Sequence, residues 1–498
     1  MQPEQVLQEE TTLDPQDWES MRALGHRMLD EMFEYLQTVR ERPVWQPVPK
    51  QIKEKLSQPL PHQPQPAEAV YQDFLDWVAP YPAGNIHPRF WGWVMGTGTP
   101  LGMLAEMLSG GMNTNAGGGD QSSTYVEWQV LDWCKEMVGY PQEASGVLVS
   151  GCSTANLLGL AVARNTQVGF EVRKQGLQAY PQHFRLYGSV EMHSSLQKAV
   201  ELLGLGDESL RRIPVDDQYR IDVKALEAAI AADRAAGDQP ICLIGCAGTV
   251  NTGGLDDLNA LADLCQREGL WFHVDGAFGA LAAISEKLRP LVAGIERADS
   301  IAFDLHKWMY MPFEMACVLV RNEADQRWSF SLTPEYLTHA TRGFSAVPWF
   351  SDYGMQLSRG FRALKAWMSI KEHGLDRYSR QIEQNVEQAR YLGRLVEENP
   401  QLELLAPITL NIVCFRYTVP GMDDSTLNEL NQELLLRLSE SGEFAPSSTQ
   451  LDGKYAIRAA ITNHRSRRED FDRLVEKVVE LGTILEGEMQ VGGPKVGA

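Results

Sequence analysis

The chain has 498 residues, 44% of them hydrophobic and 22% charged, and its formal net charge is −21 at pH 7. This composition is typical of a folded protein, and the negative charge repels nucleic-acid phosphates and anionic lipids, so neither nucleic acid nor a membrane is an expected partner. No apolar stretch reaches the ~20 residues that span a bilayer. The seven scattered cysteines lack zinc-site spacing, and no secretory signal opens the chain, so we expect no metal and a cytoplasmic location.

The first predicted elements are a helix and a proline-rich segment. Asp14 and Pro15 are typical of a helix start, and apolar residues between Trp18 and Val39 follow helical spacing. The apolar stripe that they form needs a cover, either the protein's own body or a second subunit. Residues 41–66 are rich in proline, which disfavours helix, and they form a linker or an arm around a partner subunit.

From about residue 100, helix-like stretches alternate with short β-rich runs. The predicted strands are Gly146–Ser150, Arg185–Ser189, Ile241–Cys246, Leu270–Val274, Ser300–Phe303 and Ala316–Val320. Alternating strands and helices predict an α/β fold with a mostly parallel central sheet, which binds ligands at the carboxyl ends of its strands.

The pattern changes again after about residue 360. Strand-like Thr409–Phe415 and Tyr455–Ile461, with an amphipathic helix at Arg468–Glu486, predict a smaller α+β domain. We therefore divide the chain into an N-terminal helical and extended segment (residues 1–100), a large α/β domain (101–375) and a small C-terminal domain (376–498).

Lys307 is the first candidate for chemistry. It lies in the sequence FDLHKW (303–308), just past a predicted strand and among apolar and aromatic residues. A desolvated lysine has a lowered pKa and can attack a carbonyl carbon. A surface lysine that merely follows a strand would give the same pattern, so this motif alone leaves both interpretations open.

Asp275 ends another predicted strand, in HVDGA (273–277). A carboxylate there faces the crevice at the carboxyl edge of the sheet, and the small residues Gly276 and Ala277 let a flat ring approach the backbone. The alternative is a carboxylate that caps the next helix.

Further polar groups follow the other strands. The run SGCSTAN (150–156), with Cys152 and Ser153, joins a strand to an apolar helix, and its free N–H groups and hydroxyls can bind a phosphate. His193 can stack on a flat cofactor and reach a substrate carboxylate, although a lone histidine is more often structural. The turn AGT (247–249), with Thr249, lies at the same sheet edge. Together these groups supply an amine, a carboxylate, a phosphate cup and a stacking ring, the set that pyridoxal phosphate (PLP) requires.

The sequence resembles the group II PLP-dependent amino-acid decarboxylases from about His87 to Leu485. The resemblance is strongest at HPRFWG (87–92), SGCSTANL (150–157), EMHSS (191–195), AGT (247–249), HVDGAFG (273–279), FDLHKW (303–308) and ITNHR (461–465). It implies the aspartate-aminotransferase-like fold, PLP-dependent transferase fold type I, and a homodimer with its active site at the interface. It also implies that Lys307 carries PLP as a Schiff base while an L-amino acid loses carbon dioxide and leaves as the amine.

The resemblance also assigns roles to single residues. Asp275 pairs with the pyridine nitrogen, Ala277 and His193 lie on the two faces of the ring, and Tyr336 protonates the substrate carbon after carbon dioxide leaves. The remaining expected cofactor contacts are Cys152, Ser153, Thr249 and His306, together with Asp304 and Cys246, which stand where relatives often have Asn and Thr. Related aldehyde synthases carry Phe at the tyrosine or Asn at the histidine, so Tyr336 and His193 favour simple decarboxylation.

The substrate side chain is predicted from the segment 90–99. Trp91 and Trp93 offer flat apolar surfaces that suit an aromatic side chain, or they pack at a dimer interface. The run NTN (113–115), by contrast, is similar to the glutamate branch. We expect an aromatic L-amino acid; glutamate or another non-aromatic substrate, decarboxylation with oxidative deamination, transamination, and a non-catalytic binding role remain alternatives.

Overall fold

The computed structural model describes residues 12–169, 171–332, 342–343 and 349–491. The chain divides into two units, Met1–Gly84 and Asn85–Ala498. The first unit contains helices α1 (Trp18–Gln37), α2 (Lys50–Lys55) and α3 (Ala67–Asp73), and α3 continues as a π-helical turn at Phe74–Val78. The helix start expected at Asp14 is wrong by three residues. Asp17 caps α1, because its carboxylate accepts hydrogen bonds from the N–H groups of Glu19 and Ser20 at 3.0 and 3.1 Å.

Side chains of α1 and α3 join within the first unit. The hydroxyl of Tyr71 donates a hydrogen bond of 2.6 Å to Glu31, and Arg27 forms an ion pair with Glu68. Burial and the neighbouring carboxylate raise the pKa of Tyr71 to about 12, so this phenol stays a hydrogen-bond donor at neutral pH. These contacts hold the two helices together.

The strands of the second unit form two sheets. They are β1 (Phe90–Trp91), β2 (Ser145–Val149), β3 (Phe184–Ser189), β4 (Leu210–Ile213), β5 (Gln239–Cys246), β6 (Trp271–Asp275), β7 (Ser300–Asp304), β8 (Ala316–Val320), β9 (Leu402–Leu404), β10 (Ile412–Tyr417), β11 (Ala445–Leu451) and β12 (Lys454–Ala460). Among the described residues, the larger sheet has seven strands in the order β2-β8-β7-β6-β5-β3-β4, and β8 runs antiparallel to its two neighbours. The mostly parallel sheet is confirmed, and each of its six predicted strands overlaps an observed one.

Helices cover this sheet and continue into the smaller part of the unit. They are α4 (Pro100–Met112), α5 (Ser122–Met137), α6 (Cys152–Gln167), α7 (Val172–Gln175), α8 (Ser194–Leu202), α9 (Val223–Ala235), α10 (Leu258–Glu268), α11 (Leu305–Trp308), α12 (Glu323–Phe330), α13 (Ala363–Glu397), α14 (Asp424–Glu440) and α15 (Arg468–Val491). Because α6 packs across the middle strands, its first turn lies at their carboxyl ends. The helix α13 is kinked at Gly374, which has a positive φ of 67°.

The smaller sheet has the order β1-β11-β12-β10-β9 in the described part of the chain, and it has a hydrophobic core of its own. The expected C-terminal strands are found within one to three residues of their predicted bounds, while β9 and β11 were not predicted. All seven cysteines are described, buried and unpaired. No described helix combines the length and apolarity needed to cross a membrane.

Candidate functional site

A cavity of about 390 Å³ opens at the carboxyl ends of the central strands. Its lining includes most of the residues that the sequence singled out: Trp93, Cys152, Ser153, His193, Cys246, Thr249, Asp275, Ala277, Asp304, His306 and Lys307. These residues lie at the ends of several different strands or in the loops and helix starts that follow those strands. We call Asn156, Asp275, Asp304 and Lys307 the cavity floor, and Trp93 and Val250 the cavity mouth.

Lys307 lies in the short helix α11, immediately after β7. Its Nζ is 2.9 Å from Oδ2 of Asp304, the residue that precedes the helix. Burial is the largest single effect and acts to lower the pKa of Lys307, but the neighbouring Asp304, Cys152 and Asp275 together outweigh it, and the pKa is raised. The expectation of a lowered pKa is therefore wrong, because a buried carboxylate packs against the amine.

Asp304 connects this amine to the first turn of α6. Its Oδ1 accepts a hydrogen bond of 2.7 Å from the N–H of Cys152, and its side chain is almost fully buried. The carboxylate that departs from the family pattern thus points inward. It holds Lys307 and the N-terminus of α6 together on the floor.

Asp275 ends β6 and is held from two sides. Its Oδ2 accepts a hydrogen bond of 3.0 Å from the amide of Asn156, and its Oδ1 accepts one of 3.1 Å from the N–H of Ala277. The Sγ of Cys152 lies 3.6 Å from Oδ1. A carboxylate that accepts donated hydrogen bonds in this way is fixed in direction.

The two predicted histidines occupy different walls. His193 caps α8, since its Nδ1 accepts a hydrogen bond of 3.2 Å from the N–H of Ser195. His306 accepts one of 3.1 Å at Nδ1 from the N–H of Met315. Burial lowers the pKa of both rings, which favours neutral imidazoles at pH 7.

Ser153, predicted to bind the phosphate, and the expected cofactor contacts Thr249 and Cys246 also reach the cavity. Ser153 stands exposed in the first turn of α6, whose N-cap residue, Gly151, has no side chain of its own to accept a hydrogen bond from the helix start. Thr249 is buried, and its Oγ1 accepts a hydrogen bond of 2.9 Å from the N–H of Gly254, which fixes the turn after β5. Cys246, at the end of β5, is buried on the same wall.

The two tryptophans predicted to contact the substrate, Trp91 and Trp93, lie in different places. Trp91 does not line the cavity: it is fully buried in the core of the smaller sheet, stacks on Phe471 at 4.9 Å and donates a hydrogen bond to Ser466. The assignment of Trp91 to the substrate pocket is therefore wrong. Trp93 is 64% exposed at the cavity mouth, and its backbone is left-handed with φ of 51°.

Two residues of the site were not identified from the sequence alone. Asn156 lies one helical turn after Cys152, so the i, i+4 spacing on α6 could have placed it on the floor. Arg458, on β12, is buried behind the mouth, where it donates hydrogen bonds to the carbonyl oxygens of Trp93 and Asn251, both at 2.9 Å, and to that of Val250. Arg458 lies far from these partners in the sequence, so no local sequence pattern indicated the contact.

Tyr336, the predicted proton donor, lies outside the described residues. The groups that are described fit PLP by their chemistry. A single cavity offers an amine, a fixed carboxylate, an imidazole wall, and a helix start with a hydroxyl beside it.

Comparison with known proteins decides the family. The model of the pyridoxal-dependent decarboxylase conserved domain matches residues 49–418. The chain belongs to the pyridoxal-dependent decarboxylases. An aromatic-L-amino-acid decarboxylase of Bacillus atrophaeus is 33% identical, covering 93% of this chain and 95% of the relative. A phenylacetaldehyde synthase of Arabidopsis thaliana is 30% identical, covering 90% of this chain and 93% of the relative.

The structural comparison agrees. The crystal structure of Oryza sativa TDC with PLP and tryptamine has a TM-score of 0.88 and 25% identity, covering 95% of this chain and all of the other. The family, the fold type I architecture, the PLP cofactor and the decarboxylase activity are therefore confirmed. The pyridoxal-dependent decarboxylase described here removes the carboxyl group of an amino acid.

Proposed function

We propose that this enzyme decarboxylates an aromatic L-amino acid to the amine and carbon dioxide, with Trp93 in contact with the substrate side chain. One observation carries the proposal. Among the described residues that line the cavity, Trp93 places an indole ring at the mouth, and Lys307 is the one lysine or arginine. An acidic side chain would lose its hydration there without gaining a counter-ion, whereas an aromatic ring would bury apolar surface against Trp93.

The wall behind Trp93 supports the same substrate class. The guanidinium of Arg458 directs its hydrogen bonds to three main-chain carbonyls and to Ser447, so its donors are engaged. Burial lowers its pKa to about 10, which leaves it charged at neutral pH while it holds the mouth in shape. The names of two comparison proteins, an aromatic-L-amino-acid decarboxylase and a TDC bound to tryptamine, point to the same class.

We assign the roles on the floor as follows. Bound PLP supplies an electron sink for the electron pair that the departing carboxylate leaves on the substrate. Lys307 holds the cofactor through its amine and yields that place to the substrate amine. Asp275 accepts a hydrogen bond from the ring nitrogen and so keeps that nitrogen protonated. Cys152, Ser153 and His306 are proposed to hold the phosphate, and Thr249, Cys246 and Asp304 to contact the cofactor.

The walls orient the substrate and control its proton. His193 and Ala277 are proposed to enclose the ring from its two faces, and His193 to direct the carboxylate out of the ring plane, where the bond can break. Tyr336 is proposed to return a proton to the substrate carbon, a role that suits a phenol next to a site that excludes water.

A screen of amine release from single amino acids tests the substrate class. We expect kcat/KM for tryptophan, tyrosine or phenylalanine to exceed that for glutamate by about 100-fold or more, since an unpaired buried charge costs several kcal/mol. Trp93→Ala should lower the preference, while Met355→Ala, an exposed residue away from the cavity, should leave it unchanged. A glutamate preference in the wild type would refute the proposal.

A second reaction deserves a direct assay because one relative is named a phenylacetaldehyde synthase. Decarboxylation with oxidative deamination would release aldehyde, ammonia and peroxide instead of amine. We expect amine as the main product, since Tyr336 and His193 are both present. Peroxide in amounts equal to carbon dioxide would show that the oxidative reaction dominates.

We further propose that the enzyme is a homodimer and that it works in the cytoplasm. We also propose domain boundaries in the sequence near residues 100 and 375. Exposed apolar residues on α4 and α5 support the dimer. They are Met107, Leu108, Met112, Tyr125 and Trp128. Unpaired buried cysteines support a reducing compartment. Light scattering should give twice the mass of the chain, and Met107→Glu with Leu108→Glu should halve it. A monomeric wild type would refute the dimer.

A further inference from the structure

A continuous chain of buried hydrogen bonds ends on Asp275. The indole Nε1 of Trp271 lies 2.8 Å from Oγ of Ser300, which lies 2.8 Å from Nδ1 of His273. The Nε2 of His273 lies 2.9 Å from Oδ1 of Asn156, whose Nδ2 lies 3.0 Å from Oδ2 of Asp275. Ser300, His273 and Asn156 are completely buried, so water does not compete for these bonds. We call these four residues, from Trp271 to Asn156, the relay.

The chemistry of its two ends sets the direction of the relay. The indole of Trp271 can only donate, so Ser300 accepts at Oγ and turns its own proton towards Nδ1 of His273. His273 must then carry its proton on Nε2 and donate to the carbonyl oxygen of Asn156. The amide nitrogen of Asn156 donates in turn to Asp275. Every donor therefore points towards one carboxylate, and each bond strengthens the next.

His273 is held neutral in this arrangement. Burial lowers the pKa of its ring to about 4, so the imidazole transmits a hydrogen bond and adds no charge beside Asp275. The other titratable groups with an electrostatic effect on Asp275 or its neighbours are Lys307, Asp304, Cys152, Cys246 and His193, which come from separate elements.

The helix α6 is shaped to accept the relay. Gly159 lies three residues after Asn156, on the face of the helix that meets His273. A Cβ at position 159 would lie 2.7 Å from Cε1 and 2.9 Å from Nδ1 of the imidazole. Glycine is therefore required there if His273 is to keep both of its hydrogen bonds.

We propose that Asn156 and His273 are positioning residues that hold the carboxylate of Asp275 aimed into the cavity, and thereby set the affinity of the site for PLP. The inference rests on the proposed role of Asp275, which is the residue that meets the cofactor. The relay acts through it and touches no substrate. Its expected signature is an effect on PLP binding that falls with distance from Asp275.

The test is the dissociation constant of PLP from the purified enzyme, measured by absorbance titration after removal of the cofactor. Asn156→Ala removes a hydrogen bond to a charged group and should weaken PLP binding by about 10- to 100-fold. His273→Ala should weaken it less, and Ser300→Ala by about twofold. The visible absorption band of the bound cofactor should shift in Asn156→Ala and His273→Ala, a change that loss of packing alone would not produce.

Conservative variants separate the relay from bulk packing. In His273→Gln the side-chain amide nitrogen can replace Nε2 and donate to Asn156, so PLP affinity should recover towards that of the wild type. In His273→Asn the amide is too short to do so, and the affinity should stay low. Equal affinity in these two variants would overturn the inference.

A matched control covers loss of stability. Asn411 is a completely buried asparagine outside the site, with a hydrogen bond of 2.9 Å to the carbonyl of Ile461. Asn411→Ala should lower the melting temperature and leave PLP affinity unchanged. Asp275→Asn separates the two claims: if it weakens PLP binding and a folded Asn156→Ala does not, the relay fails alone, and if neither weakens binding, the role of Asp275 fails as well.

Discussion

The cavity floor and the cavity mouth are built from different kinds of contact. On the floor, carboxylates at the ends of buried strands accept hydrogen bonds from amide groups of α6, as Asp304 does from Cys152 and Asp275 does from Asn156. At the mouth, an exposed Trp93 is held through its backbone, and Arg458 reaches it from β12 of the smaller sheet. We therefore expect the floor to fix the cofactor chemistry, while the mouth can vary with the substrate.

The largest effect is expected from a substitution on the cavity floor. Lys307→Ala removes the amine that we propose binds the cofactor covalently, and activity should fall by about 10⁴-fold or more. Borohydride reduction followed by peptide mass spectrometry should find the pyridoxyl group on Lys307 in the wild type and nowhere in the variant. Lys287→Ala, an exposed lysine paired with Glu383, is the control and should retain both activity and adduct. An adduct on another lysine of the wild type would contradict the assignment.

The next effect contrasts the two tryptophans. Trp93→Ala should raise KM for an aromatic substrate by about 10-fold, with little change in stability, because the ring is mostly exposed. Trp91→Ala should lower the free energy of unfolding by about 3–5 kcal/mol, because it empties part of a packed core. Steady-state kinetics and denaturant melts measure the two. A KM change in Trp91→Ala as large as that in Trp93→Ala would show that the mouth and the small core are not separate.

The same contrast explains what the sequence could predict. The floor was foreseeable because Asp275, Lys307 and the cup at 150–156 each follow a strand, and parallel strands end at one edge. The mouth was not, because Trp91 and Trp93 are two residues apart and in a regular strand would face the same side. The left-handed backbone at Trp93 breaks that alternation and separates the rings, and residue types alone do not reveal such a φ angle.

Side-chain contacts that form only on folding limited the prediction in the same way. The raised pKa of Lys307 depends on Asp304, three residues earlier. The turn of α11 brings the amine of Lys307 against this carboxylate. Arg458 and Trp93 are 365 residues apart in the sequence. Local patterns identify strand ends and helix starts, but they do not show which distant side chain will supply a hydrogen bond.

A smaller effect is expected when the mouth loses its support. Arg458→Lys keeps the charge but cannot donate to three carbonyls at once, since an ammonium lacks the planar fork of a guanidinium. KM for an aromatic substrate should rise about threefold to fivefold, while the PLP dissociation constant stays within twofold. A large loss of PLP affinity would mean that Arg458 serves the floor as well as the mouth.

The smallest expected effect refines the floor and concerns pH. The ammonium form of Lys307 cannot attack the aldehyde of PLP, so the rate of cofactor loading rises as the pH approaches the pKa of Lys307. Asp304 raises that pKa, against the effect of burial. In Asp304→Asn, which keeps the shape and an acceptor for the N–H of Cys152, the pKa should fall, and the rising limb of the loading rate should move to lower pH. Stopped-flow absorbance at pH 6 to 9 should then show loading that is several-fold faster in the variant throughout this range, because the pKa of Lys307 in the wild type is raised above the ordinary lysine value of 10.5, beyond the alkaline end of the range. A limb that moves to higher pH would show that the charge of Asp304 does not act on Lys307 in this way.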